Sequence, residues 1–294
     1  MKQLSDIAQE EQNMRVIVQL TNTFESLASM RIAQIKNQVL QAQNFFAELW
    51  NIYVQIRIDK LFRFGRQSNE NVSEKELIII ISSAGGFSGD IDHRLIATML
   101  KQYDKTKQDI IVVGYHGTIL LAQAGVAFKK YFKLPEKDTN INVEPLVREI
   151  RSYKSSVVFY QTYVSLMTQD IRRIELQAAI MELSEQAAKS NDIISEKTYI
   201  FEPSAYAVVA HIERSMLQIA LSQVIFDSKL AQYASRFRAM SLANDRANTS
   251  LSDTILLYNH TKRYIHDEQL KQIINGLKKV LVKWNKVSSG LSRI

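Results

Sequence analysis

With 294 residues, 46% of them apolar, the chain can bury a sizeable core and suggests one or two structural units. It has no cysteine, which excludes a disulfide framework and a thiolate metal site and fits a reducing compartment. A formal net charge of +7 permits acidic partners, but the basic residues are spread along the chain, which counts against a nucleic-acid-binding stripe.

Met1 to Glu11 carries Asp6, Glu10 and Glu11 and no apolar run, so it does not read as a secretory leader. No later stretch reaches the roughly 18 apolar residues of a membrane-spanning helix. Neither Gly nor Pro precedes Gly65, and residues 1–60 predict one long helix. Within it Ala28, Ile32, Ile35, Val39, Ala42, Phe46, Leu49, Tyr53 and Ile56 recur at alternating steps of three and four, the a/d seam of a left-handed coiled coil. Gly65, Ser68, Asn69 and Asn71 mark residues 62–73 as a linker.

The period changes over 74–195. Leu77 to Ile81 is a run of five aliphatics that predicts a strand buried on both faces, and Asp109 to Tyr115 predicts a second. Helices are expected at 90–103, with Asp90 or Asp92 as N-cap, at 118–124, and at 145–155 with Pro145 in its first turn. A third strand is expected at 126–132, and 156–167 with 170–180 predict a hairpin or two adjacent strands. Strands alternating with helices imply a small, mostly parallel, Rossmann-like α/β domain. Residues 184–191 read as a polar connector and 197–201 as an extended approach to Pro203.

From Ser204 to Asn275 there is neither Gly nor Pro. Val209, Ile212, Met216, Ile219, Gln223, Phe226, Leu230, Tyr233, Phe237, Met240, Asn244, Ala247, Leu251, Thr254, Tyr258, Thr261 and Ile265 form a second a/d seam. A helix that long has to be covered by something outside a compact core, and the first helix is the economical partner. The expected fold is therefore α+β or α/β: a long antiparallel two-helix coiled coil, made by helices at 1–60 and 203–284, holding a central α/β domain at 74–195, with a tail at 285–294.

Catalytic chemistry is not indicated. The loop Ser82 to Asp90 lies between a strand and a helix, as phosphate-binding loops do, but it lacks both the P-loop ending and the dinucleotide glycine spacing, so a tight turn is the expected reading. His93, His116, His211, His260 and His266 have no metal-ligand spacing, and Asp90 with Asp92 reads as helix capping rather than a carboxylate pair. Charged residues cluster around the middle of the long helix at Arg236, Arg238, Asp245 and Arg246, and near its end at Lys262, Arg263, Glu268 and Gln269. The tail from Lys278 contains Lys279, Lys283, Lys286 and Arg293 and no acid.

Several strings resemble the gamma subunit of F-type rotary ATP synthases. They are Tyr199-Ile200-Phe201-Glu202-Pro203, Arg236-Phe237-Arg238-Ala239-Met240 followed by Ala243-Asn244-Asp245, and Leu257-Tyr258-Asn259 with Lys262-Arg263, Glu268-Gln269-Leu270 and Ile273-Ile274-Asn275-Gly276. Leu77 to Gly89 and Ser29-Met30-Arg31-Ile32-Ala33-Gln34 are similar to two further family segments. This chain departs from the family in having no positive charge over Val16 to Asn22, Ala247-Asn248 where the family has paired glycines, and a longer tail. The resemblance implies the central-stalk rotor of a proton- or sodium-translocating ATP synthase, or of a diverged F-type-like ATPase. Such a chain is non-catalytic, binds no cofactor and no nucleic acid, and sits at the cytoplasmic face of a bacterial membrane, touching it only through the c-ring. It implies contacts with the alpha and beta subunits through Met30, Arg31, Arg236, Arg238, Asp245, Asn259, Lys262, Arg263, Glu268 and Gln269. It implies contacts with the epsilon subunit and c-ring through Gly85, Gly86, Phe87 and Gly89. A non-rotary coiled-coil scaffold, a nucleotide-binding enzyme built on the α/β domain and a basic nucleic-acid binder are the competing readings.

Overall fold

The computed structural model describes residues 3–57, 73–135, 141–176, 202 and 204–291. Ten elements follow in order: α1 (Leu4–Arg57), β1 (Ser73–Ile81), α2 (Ile91–Leu100), β2 (Gln108–Val113), α3 (Tyr115–Gln123), β3 (Lys130–Phe132), α4 (Glu144–Ile150), β4 (Tyr153–Tyr163), β5 (Gln169–Glu175) and α5 (Ala205–Leu291). They form two compact units, one of Phe24–Met240 and one of Met1–Thr23 with Ser241–Ile294.

In the larger unit the five strands make one sheet in the order β3-β2-β1-β4-β5. β1 pairs in parallel with β2 and β4, β2 with β3, and only the β4–β5 hairpin is antiparallel. The aliphatic run of β1 explains its central place, because alternate residues point to opposite faces and both faces are covered. Leu77, Ile79 and Ile81 face Leu146, Val147 and Ile150 of α4 together with Leu221, Val224 and Ile225 of α5. Ile78 and Ile80 face Leu95, Ile96 and Met99 of α2 and Leu120 and Leu121 of α3. The domain thus has three layers, and one of its helices is a stretch of α5 itself.

That second role gives α5 two buried sides over 216–240. One packs on the sheet. The other carries Phe226 and Leu230, which cluster with Ile35 and Val39 of α1. Earlier in α1, Phe24 stacks on Phe87 at 5.4 Å, and Gly89 of that same loop lies against Ser235 and Ala239. As α1 runs forward, its contacts therefore run backward along α5, so the pair is antiparallel. In the smaller unit Thr21 donates to the Asn244 side-chain carbonyl at 3.1 Å, and Ile7, Ala247, Thr254 and Thr261 are buried. Leu4 lies 17 residues before Thr21, which in an antiparallel pair brings it opposite position 261. Burial on α5 stops there: residues 262–281 are exposed apart from half-buried Glu268.

Several expected elements shift. The strand expected at 126–132 is reduced to Lys130–Phe132, because Val126 and Phe128 turn into the core beside α2 and α3 instead of pairing. The helix expected at 145–155 stops at Ile150, and Tyr153 already begins β4. α5 runs through Gly276 and past the expected end at 284 to Leu291, so 285–291 of the expected tail are helical; a Cβ at Gly276 would meet nothing within 4 Å. On α5 the seam positions from Met216 to Thr261 are buried or half-buried, whereas Ile265 is exposed. The linker at 62–72, the connector at 184–191, the approach at 197–201, and the seam side chains of Ala42, Phe46, Leu49, Tyr53, Ile56, Val209 and Ile212 lie outside the described residues.

Candidate partner interface

A sheet ordered 3-2-1-4-5 changes winding direction between β1 and β4, and the crevice at the carboxyl ends of those strands is where open α/β sheets bind nucleotides. Here the crevice is built, and this chain's own side chains fill it. Ser82, at the end of β1, donates to the Val113 and Gly114 carbonyls and accepts from the Gly117 amide. Gly114 has φ +99°, and a Cβ there would lie 2.0 Å from the Ser82 carbonyl oxygen, so only glycine lets β1 and β2 end this close together.

Asp92 occupies the floor. It does not cap α2; Asp90 stands at the cap position without a capping hydrogen bond, and Asp92 is 1% exposed. Its Oδ1 accepts from the Ser83 amide at 3.2 Å and from Gln161 Nε2 at 2.7 Å. Its Oδ2 accepts from the Ser83 hydroxyl and lies 2.8 Å from His116 Nδ1. The Ser83 amide of this loop is therefore already taken by an internal carboxylate, and a carboxylate on the crevice floor repels anions. Gln161 Oε1 in turn accepts from Ser228 at 2.5 Å and from Gln232 at 3.2 Å, both on α5. Ser235 of α5 donates to the Ser88 carbonyl at 2.6 Å.

Of the residues singled out from sequence, the structure brings two sets together. Arg236 donates to the Ser88 hydroxyl at 3.2 Å and lies over the Tyr233 ring. Burial pulls its guanidinium below the usual arginine range, with Tyr233 and Asp92 opposing that shift. It is thus an anchor of the Ser82–Asp90 loop more than an outward charge. Arg238 is exposed and donates to the Met167 carbonyl in the β4–β5 turn at 3.0 Å. Gly85, Gly86 and Phe87 sit at the tip of the loop that Arg236 holds. Phe87 is 64% exposed with φ +66°, a strained conformation for a bulky residue, supported by its stack on Phe24. Ser235 and Arg236 of α5 are thus joined to this loop through Ser88. On α1, Met30 and Arg31 are exposed.

In the smaller unit Asp245, Asn259, Lys262, Arg263 and Gln269 are exposed, and Glu268 is half-buried with Lys271 at 3.5 Å. Beyond them lies a feature that sequence reasoning passed over. Leu270, Ile273, Leu277 and Val280 are 46–65% exposed and repeat at steps of three and four, with Lys271, Lys278 and Lys279 beside them. The signal was present in the periodicity, but this strip is out of phase with the seam that ends at Thr261. Among the described residues no group of three or more His, Asp and Glu side chains could hold a metal.

The ATP synthase family model matches residues 3–279. The chain belongs to the ATP synthase gamma-chain family. It is 22% identical over 292 residues to the ATP synthase gamma chain of Mycoplasmoides gallisepticum, covering 95% of this chain and 100% of that one. It is 22% identical over 266 residues to the gamma chain of Clostridium novyi, covering 87% and 91%. Its fold is similar to a chain of the rotor of the Euglena gracilis mitochondrial ATP synthase, with TM-score 0.61 and 13% identity over 89% of this chain and 98% of that one. This gamma-family chain is a subunit of an ATP synthase. Its family match stops at residue 279, while α5 continues to Leu291.

Proposed function

We propose that this chain is the central-stalk rotor shaft of a proton- or sodium-translocating F-type ATP synthase. One observation carries the reading: in a gamma-family chain, two antiparallel helices pair through a buried seam, and beyond Thr261 α5 carries an exposed apolar strip with lysines beside it. Apolar strips of that length on a soluble chain mark contact with other proteins. A surrounding ring of alpha and beta subunits supplies that cover. Met30 and Arg31 on α1, and Asp245, Asn259, Lys262, Arg263, Glu268 and Gln269 on α5, are the side chains offered to it.

Gly85, Gly86, Phe87 and Gly89 lie in the loop that Ser235 and Arg236 of α5 hold through Ser88, and this loop is the side offered to the epsilon subunit and c-ring. The shaft does no bond chemistry. The crevice that would hold a nucleotide is occupied by Asp92, Gln161 and the α5 side chains. It belongs at the cytoplasmic face of a bacterial membrane, held there through the c-ring.

Affinity purification of the full chain from its own cells tests this. Alpha, beta and epsilon subunits in fixed proportion are expected. Recovery of the chain alone, or with unrelated proteins, overturns the rotor and favours a non-rotary scaffold.

A further inference from the structure

The buried side-chain chain Asp92–Gln161–Ser228/Gln232 is more polar than packing requires. All four residues are 4% exposed or less, in an interface whose neighbouring positions are Leu221, Val224 and Ile225. Apolar residues of similar size would hold α5 on the sheet equally well, and replacing a satisfied buried polar set with apolar side chains is commonly neutral or stabilising. What hydrogen bonds add is direction. A smooth apolar helix face slides and turns over a sheet at little cost, whereas Gln161 accepts from Ser228 and Gln232 at only one azimuth of α5.

The geometry points to Gln161 as a positioning residue that fixes the rotational setting of α5 in the switch-point crevice. Ser228 also accepts from Gln232 at 3.0 Å, so the two α5 groups present themselves as a fixed fork. On the other side Asp92 holds Gln161 Nε2 at 2.7 Å, which orients the amide so that its oxygen faces α5. Asp92 is itself held by Ser83 and His116, elements that follow β1 and β2. The setting of α5 is thereby referred to the centre of the sheet. This goes beyond the rotor reading and rests on it in one respect: in a rotor, torque between shaft and α/β domain crosses this joint, and slack here would lose angle at every step.

The test uses the full chain alone, so it stands or falls separately from the rotor reading. Because the chain has no cysteine, Lys101→Cys and His211→Cys place two spin labels, one just after α2 and one on α5. Pulsed electron-electron resonance then reads the spread of distances between them. Gln161→Leu/Ser228→Ala/Gln232→Leu replaces the β4–α5 part of the network with an apolar contact, while Asp92 keeps its Ser83 and His116 partners. The expected result is a folded chain with unchanged helicity and a distance distribution about twofold broader than that of the unsubstituted pair. Ser228→Ala alone, too small a change to unfold the chain, broadens it by less. An unchanged width in both variants overturns the proposal. So does loss of folding in the triple variant with unchanged width in Ser228→Ala, since the network would then supply stability and not direction.

Discussion

Asp227 on α5 is a carboxylate placed where burial works against its charge. Burial raises its pKa above the ordinary 3.8, while the Thr162 hydroxyl at 2.5 Å and the Tyr163 amide pull the other way. The folded state therefore holds this proton more tightly than the unfolded chain does. Its contribution to stability is full below the unfolded pKa and is lost as pH rises through the folded one. Asp227→Asn removes that loss. Thermal unfolding measured across the range from about pH 4 to 7 should show a smaller decline for Asp227→Asn than for the unsubstituted chain. Equal slopes would show that Thr162 and Tyr163 offset burial completely. Ser156 on β4 is a second residue-scale case. Its hydroxyl is buried without a hydrogen-bond partner. Ser156→Ala is expected to raise the urea midpoint by the equivalent of about 1 kcal/mol, the cost of an unsatisfied buried group. Neither residue stands out in the sequence, because burial of a single polar atom depends on neighbours far along the chain.

At the scale of elements, α5 is governed by which partner each stretch has. Where it faces α1, Leu230 packs with Ile35, Val39 and Phe226. Leu230→Ala should cost about 2–5 kcal/mol in chemical denaturation, since the surrounding helices cannot collapse fully into the space left behind. Leu277, on the unpaired stretch and 59% exposed, is the contrast. Leu277→Ser should change the stability of the isolated chain by no more than about 0.5 kcal/mol. The same residue type in the same helix thus separates seam from exposed strip, and similar losses at both sites would contradict the observed end of pairing. The a/d rhythm was legible on α1 from Ala28 to Val39 and on α5 from Met216 to Thr261, because a seam repeats every 3.5 residues regardless of what fills the other faces. The part of the α1 seam at Thr21 was not, because Thr21 is polar and its hydroxyl lies within hydrogen-bond distance of the Ile17 and Val18 carbonyls of its own helix and of the Asn244 side chain across the pair.

For the whole molecule, the contacts proposed for the rotor fall on side chains whose substitution should leave this chain's own stability untouched. Lys262 and Arg263 are exposed on α5. Lys262→Glu/Arg263→Glu should leave the folded chain intact by circular dichroism and impair ATP hydrolysis coupled to rotation in the assembled complex. Full coupled activity would mean these side chains face only solvent. The three-layered domain, with α5 as one of its helices, also means that shaft and sheet share a core, so the domain is not an independent attachment to a finished coiled coil.

The amino-acid sequence by itself determined the two long helices, their seam and the central parallel strands, because each is written as a local period: 3.5 residues for a paired helix, an unbroken aliphatic run for a strand covered on both faces. Only the tertiary structure decided that α5 buries a second face through Leu221, Ser228 and Gln232, that Asp92 anchors a crevice instead of capping a helix, and that pairing ends at Thr261. The physical reason is that a local period reports which side of an element is apolar. A buried serine or glutamine is made tolerable by a hydrogen-bond partner about 70 residues away, and that partner is known only once the chain has folded.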